Sequence, residues 1–277
     1  MTEAPGQRIV DLPSPFERRA ELAERIGAGT PVVCLDYDGT LTPIVSRPEA
    51  AALGEGARAA LQRLAAVCPV AIVSGRDVED VRARVGLPGL HYAGSHGFEI
   101  VEPDGTRHRT GEEYRPALAR AADRLERSLS AVPGALVERK GFAVAVHYRM
   151  LEDPRDAARV EAAVDEVAGR EPELRRTGGR MIFELRPNLP WDKGSAVLRV
   201  LELVGASPDD VPLYVGDDLT DEDAFRALRG RGIGVVVAGE EPERGTLARY
   251  ALGGPEEVPR FLDGLESLVA GGRAARP

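Results

Sequence analysis

Two short apolar runs each break off into a cluster of aspartates, with a long stretch of different rhythm between them. Residues 32–35 lead directly into Asp36-Tyr37-Asp38-Gly39-Thr40-Leu41, and residues 213–215 lead into Gly216-Asp217-Asp218-Leu219-Thr220-Asp221. A short β-branched run without polar alternation suits a strand buried on both faces, as in a parallel sheet. Residues 70–73, 90–93 and 233–237 read as further strands; 55–67, 78–85, 193–204, 221–228 and 256–269 have helical period. A preceding amphipathic helix over 16–26 is closed by Gly27. Strands and helices in alternation predict an α/β fold, a Rossmann-like parallel sheet core with helices on both faces. Ligands of such sheets bind beyond the carboxyl ends of the strands. Asp36, Ser74 and Asp217 all lie just past such ends.

The middle of the chain follows another pattern. Residues 98–101 and 106–109 flank Pro103-Asp104-Gly105, a hairpin signal. A helix is expected over 112–131, a strand over 136–139, a turn at Lys140-Gly141 and an alternating strand over 142–149. Asp153-Pro154 opens a second helix to about residue 168, and strands near 174–177 and 180–186 flank Gly178-Gly179. This αββαββ order is a compact α+β unit, its helices on one face of an antiparallel sheet. The expected division is core over 1–111, inserted domain over 112–187 and core again over 188–277.

Charge and cysteine usage narrow the partners. A formal net charge of -9 argues against nucleic acid or an anionic membrane. No apolar run approaches a bilayer span, and residues 1–14 lack a signal peptide's apolar stretch. Cys34 and Cys68 lie beside or within buried strands, as small core residues do. A reduced, cytoplasmic protein is expected, acting as a monomer on a small molecule. Of the 36 basic residues only two are lysines, Lys140 and Lys193. In a composition this biased towards arginine, each marks a place where a compact ammonium does what a planar guanidinium cannot, or is a chance survivor.

The aspartate clusters suggest chemistry. A carboxylate at a strand end, Asp36, can attack phosphorus and form an acyl phosphate. A second carboxyl two residues on, Asp38, can protonate the leaving alkoxide and then activate water, provided it starts protonated. The bland reading is an Asp-Gly turn with capping carboxylates. Asp217, Asp218 and Asp221 need a cation or full solvation, and Mg²⁺ takes such oxygen ligands, although Asp221 could equally cap the following helix. Ser74-Gly75 offers a hydroxyl and backbone N–H groups to a phosphate, or is a plain turn. Lys193, at a helix start where the macrodipole disfavours it, offers a point charge, or is a solvated one. In the inserted domain, alternation sets Phe142, Val144, Val146 and Tyr148 against Ala143, Ala145, His147 and Arg149, and pairs Arg180 with Glu184. An open face carrying acids and bases suits a polyhydroxylated ligand, or is solvated charge.

Asp36-x-Asp38-Gly-Thr40, Ser74-Gly75, Lys193 and Gly216-Asp217-Asp218-x-x-Asp221 resemble, in order, the four motifs of the haloacid dehalogenase superfamily. That resemblance implies Asp36 as nucleophile and Asp38 as general acid and base. It implies Mg²⁺ on Asp36, the Asp38 carbonyl and Asp217, with Asp218 and Asp221 completing or orienting the site. Thr40, Ser74, Gly75 and Lys193 would hold the phosphoryl group, and the insertion resembles the superfamily's type-two cap. Gly94-Ser95-His96-Gly97, Glu138-Arg139-Lys140-Gly141, His147-Tyr148-Arg149, Glu184-Leu185-Arg186-Pro187 and Asp192-Lys193-Gly194 look like the trehalose-6-phosphate phosphatase family. The implied substrate is trehalose 6-phosphate, gripped by Glu138, Lys140, Arg149, Arg180 and Glu184. Arg180 departs from that pattern, which has a lysine there. The alternatives are a capped phosphatase for sucrose phosphate or glucosylglycerol phosphate, and a non-catalytic sugar-phosphate sensor.

Overall fold

The computed structural model describes residues 6–27, 29–45, 48–179, 181–239 and 241–274. The chain forms two compact units, residues 1–108 with 191–277 and residues 109–190.

The first unit begins with β1 (Gln7–Arg8), α1 (Arg19–Ile26), β2 (Pro31–Leu35), α2 (Glu55–Ala65), β3 (Val70–Val73), α3 (Val78–Val85), β4 (His91–Gly94), β5 (Glu99–Val101) and β6 (Arg107–Arg109). The second unit contributes α4 (Arg115–Leu129), β7 (Leu136–Arg139), β8 (Val144–His147), α5 (Ala157–Arg170), β9 (Leu174–Gly179) and β10 (Ile182–Pro187). The first then resumes with α6 (Lys193–Leu203), β11 (Val211–Gly216), α7 (Asp221–Ala227), β12 (Ile233–Val237), β13 (Gly245–Thr246), β14 (Tyr250–Leu252) and α8 (Val258–Ala274).

The main sheet has the order β14-β12-β11-β2-β3-β4-β5-β6. Its strands run parallel from β14 to β4, and β5 turns back antiparallel to β4. Burial on both faces explains why the strand runs carry no polar alternation. Val33 and Leu35 enter one core with α1, α2, α3 and α8, while Val32 and Cys34 enter another with α6 and α7. Successive connections from β2 move outward through β3 and β4, whereas β11 and β12 lie on its other side. The β2–β11 pair is therefore the topological switch point, where a crevice opens at the carboxyl ends. Both cysteines are buried, and burial pushes the Cys34 thiol up to about 12, leaving it inert.

In the second unit the antiparallel order is β7-β8-β10-β9. Val144, Val146 and Leu185 pack with Leu118, Leu125, Val160 and Val164 of α4 and α5 as one core. Each fully buried aliphatic side chain there contributes about 1.5–3 kcal/mol. Two local expectations change. The strand expected over 142–149 is only Val144–His147, so Arg149 lies exposed in the turn that follows. The glycines at 178 and 179 belong to β9, paired with Phe183 and Ile182, so the hairpin turns after them. Met181 takes φ 65° there, an uncommon left-handed backbone that the sequence does not advertise. Arg180 lies outside the described residues.

Among the described residues, no helix is long and apolar enough to cross a membrane.

Candidate active site

Asp36 follows β2 directly and is buried. Its backbone N–H donates to the carbonyl of Val215 on the neighbouring strand, which ties the two acidic loops together at 2.9 Å. The chain then reverses through Gly39, whose φ of 84° favours glycine. A Cβ at Gly39 would lie 2.1 Å from Asp217 Oδ2, so only glycine lets the second acidic loop approach the first. Thr40 Oγ1 donates to Asp217 Oδ1 at 3.1 Å from the same turn.

Lys193 is the first residue of α6, positioned by Asp192, whose carboxylate caps the helix by accepting from the Ser195 N–H at 2.7 Å. The Lys193 side chain is only 3% exposed. Its ammonium lies 2.9 Å from Asp36 Oδ1 and 2.7 Å from Asp221 Oδ1, with Asp218 at 3.9 Å. Burial would discharge it, but Asp221 and Asp36 outweigh burial and raise its pKa well above the usual lysine value.

Asp221 organises its surroundings. Oδ1 accepts from Lys193 and, at 2.6 Å, from the Tyr214 hydroxyl; Oδ2 accepts the backbone N–H groups of Asp217 and Asp218 at 2.8 and 2.9 Å. Asp218 in turn accepts from the Thr220 N–H and hydroxyl, at 2.8 and 2.7 Å. Burial would raise the Asp218 pKa, yet Lys193 and Thr220 hold it at about 2.

Oxygens of Asp36, Asp217 and Asp221 lie within 4.8 Å of one another. Burial raises Asp36 well above the carboxylate range against the pull of Lys193, and burial with Asp221 and Asp218 pushes Asp217 up to about 7. Four carboxylates facing one ammonium form a site that lacks positive charge. Asp221 accepts two hydrogen bonds at each oxygen, whereas Asp36 and Asp217 each accept one at Oδ1. Hard oxygen donors at this spacing fit Mg²⁺.

Ser74 is buried past β3, and its Oγ accepts from the Arg76 N–H at 3.1 Å. A Cβ on Gly75 would meet the His96 ring at 2.9 Å. Arg76 is the residue the motifs did not single out. It grips Asp38 at two points, Nε to Oδ2 at 2.6 Å and Nη2 to Oδ1 at 2.7 Å, while Nη1 donates to Asp80 at 2.9 Å. Its spacing of four from Asp80 on α3 was the available signal. Tyr214 was also missed, as a tyrosine on a buried strand reads as packing.

In the second unit, Glu138, Ala145, Glu184 and Thr177 stand in register across the sheet. Lys140 Nζ donates to Glu184 Oε1 at 2.9 Å and lies 3.9 Å from Glu138. Arg186 donates to Glu184 Oε2 through Nε at 2.9 Å, and His147 Nε2 is 2.8 Å from Glu138. Burial would raise the Glu184 pKa, but Arg186 and Lys140 bring it to about 2. Ala143 and Ala145, expected on the open face, are buried. Arg186, absent from the expected group, joins this charged row through Glu184.

The trehalose-phosphatase family model matches residues 34–256. The chain is 44% identical over 274 residues to a trehalose-phosphate phosphatase of Mycobacterium avium, covering 96% of this chain and 70% of that protein. It is 46% identical to a trehalose-phosphate phosphatase of Mycobacterium tuberculosis (strain H37Rv), covering 94% and 67%. The solved C-terminal domain of a Candida albicans trehalose-6-phosphate phosphatase aligns with TM-score 0.74 and 26% identity, over 93% of this chain and 99% of that one. A haloacid dehalogenase-like hydrolase from Bacteroides thetaiotaomicron shares the fold at TM-score 0.60 and 16% identity, over 87% and 99%.

Proposed function

The chain belongs to the trehalose-phosphatase family, and we propose that it hydrolyses trehalose 6-phosphate to trehalose and phosphate through an aspartyl-phosphate on Asp36. The observation that carries this reading is the convergence on one buried carboxylate. Asp36 Oδ1 meets the Lys193 ammonium at 2.9 Å, beside Asp217 across the switch point. A free Asp36 Oδ2 would attack phosphorus as the bond to the sugar oxygen breaks. Asp38 would give that oxygen its proton and later take one from the water that cleaves the acyl phosphate. Arg76 occupies both Asp38 oxygens, so one of its two bonds has to yield for the proton to move.

Asp36, Asp217 and the Asp38 carbonyl would hold Mg²⁺, with Asp218 and Asp221 orienting the loop. When bound, the cation supplies charge that offsets the phosphoryl oxygens. Lys193 neutralises the same oxygens, while Thr40, Ser74 and the Gly75 backbone are the groups we assign to phosphate positioning. Lys193 also keeps Asp36 from repelling Asp221, which preserves the carboxylate's aim.

For the sugar we assign Glu138, Lys140 and Glu184, with Arg149 and Arg180. The charged row of the second unit combines acceptors and donors, which is what paired hydroxyls require. Fold likeness alone does not separate an enzyme from a sensor, since a Candida albicans trehalose synthase regulatory domain aligns at TM-score 0.71 with 14% identity. The intact acid pair and lysine support catalysis. Phosphate release from trehalose 6-phosphate, sucrose 6-phosphate and glucosylglycerol phosphate, each with Mg²⁺ or EDTA, tests the reading. Trehalose 6-phosphate should be the best substrate, and EDTA should abolish its turnover.

A further inference from the structure

A cavity of about 640 Å³ opens where β11 and β12 begin, lined by Val211 and Ile233. Asp217 follows the far end of β11, so about 16 Å of strand separates this cavity from the acidic loops. The volume falls in the range of small-molecule sites, about 300–1,000 Å³. Its rim carries Arg25, Arg229, Arg231 and Arg249 over a floor that includes Phe225 and Leu228. No acidic residue lines it among the described residues.

The charge balance there is unusual for this chain. Glu21, outside the lining, accepts through one oxygen from both Arg25 at 3.3 Å and Arg249 at 2.6 Å. The guanidinium groups of Arg229 and Arg231 have no hydrogen-bond or ion-pair partner among the described residues, and both side chains are exposed. One carboxylate among four guanidinium groups leaves a strongly positive pocket on a protein of formal net charge -9. Gathered like charges repel, and packing does not require these four, whose residues are all exposed. The arrangement gains stability from an anion that enters it.

We propose that this cavity is a binding site for a small anion carrying two or more linked phosphate groups. Each guanidinium presents a planar fork that matches phosphate oxygens two at a time, so several forks around one cavity favour several phosphates over one. The two unpaired arginines provide the first contact, and Arg25 and Arg249 keep donors to spare beyond Glu21. The apolar floor tolerates an organic body attached to the phosphates. Neither the acid pair nor Lys193 takes part, so this site is separate from the one described above.

The test is calorimetric titration of the full chain with inorganic pyrophosphate in EDTA, where the uncompensated carboxylates around Asp36 repel anions. Wild type should bind one equivalent, with affinity falling as salt rises. The double variant Arg229→Ser/Arg231→Ser should bind at least tenfold more weakly, while its Mg²⁺-dependent phosphatase activity without pyrophosphate stays within about twofold of wild type. That retained activity also shows that the variant folds. A parallel titration with ADP distinguishes sources: tighter binding than pyrophosphate marks a nucleoside diphosphate, and equal binding marks the phosphate chain alone. Equal affinity of wild type and double variant, or no binding to wild type, overturns the proposal.

Discussion

The ammonium of Lys193 lies 2.9 Å from Asp36 Oδ1, although 157 positions separate the two residues in the chain. The same nitrogen reaches Asp221 Oδ1 at 2.7 Å, so one buried cation joins the loops after β2 and β11. Breaking a buried charge pair by removing one partner typically costs about 3–5 kcal/mol. Lys193 therefore serves stability and the proposed chemistry together.

Asp36→Asn keeps the shape of the side chain but removes the nucleophilic carboxylate. Turnover of trehalose 6-phosphate should fall at least about a hundredfold while circular dichroism stays unchanged. Phosphate release above roughly one percent of wild type would rule out Asp36 as nucleophile.

Lys193→Arg keeps the charge and should still lose activity. A planar fork is wider than an ammonium, and the 3% exposed site leaves little room for it. Overpacking of this kind costs about 1–3 kcal/mol. We expect kcat to drop at least about tenfold and Tm to fall by several degrees. Wild-type kcat in this variant would show that any cation suffices there.

The Mg²⁺ stabilisation should grow with pH. Burial with Asp221 and Asp218 raises Asp217 from 3.8 to about 7, so its protonated form favours the fold at low pH. That stability is fully present below the ordinary value and is lost as pH rises through about 7. A cation that replaces the proton restores it. Saturating Mg²⁺ should therefore raise Tm little at about pH 5.5 and clearly more at about pH 8. Equal shifts at the two pH values would exclude Asp217 from the metal site.

Gly39→Ala places a methyl 2.1 Å from Asp217 Oδ2 and forces an L side chain to φ 84°. The Asp217 carboxylate has to move away. Mg²⁺-dependent activity should fall about a hundredfold, and the Mg²⁺ concentration for half-maximal rate should rise. An unchanged Mg²⁺ requirement would mean that Asp217 is dispensable to the cation.

Glu184→Gln tests the sugar contacts without truncating the side chain between Lys140 and Arg186. A lost charged hydrogen bond costs about 1.5–3 kcal/mol, so kcat/KM for trehalose 6-phosphate should fall about ten- to a hundredfold. For p-nitrophenyl phosphate, which has no sugar, the loss should be much smaller. Equal losses on both substrates would assign Glu184 to the structure of its own unit.

By itself, the sequence determined where the buried core strands β2 and β3 end and where the acids begin. An apolar run with no polar position has to be buried on both faces, and a carboxylate cannot continue it, so Asp36 and Asp217 mark strand ends by residue type alone. The change of period near residue 112 likewise separated an antiparallel unit from a parallel one. Partners, by contrast, depended on strand order, which no local pattern encodes. Only because β3 lies next to β2 can Arg76 reach Asp38 with two bonds, and only because β11 lies on the other side can Asp221 accept from Lys193. Asp221 read as a metal ligand or a helix cap; the tertiary structure adds four hydrogen bonds to its carboxylate that organise the loop. The turn after Gly179 and the exposed position of Arg149 escaped detection for a related reason. A period of two fixes which residues share a face but not where pairing stops, and that is settled by the register of the neighbouring strand.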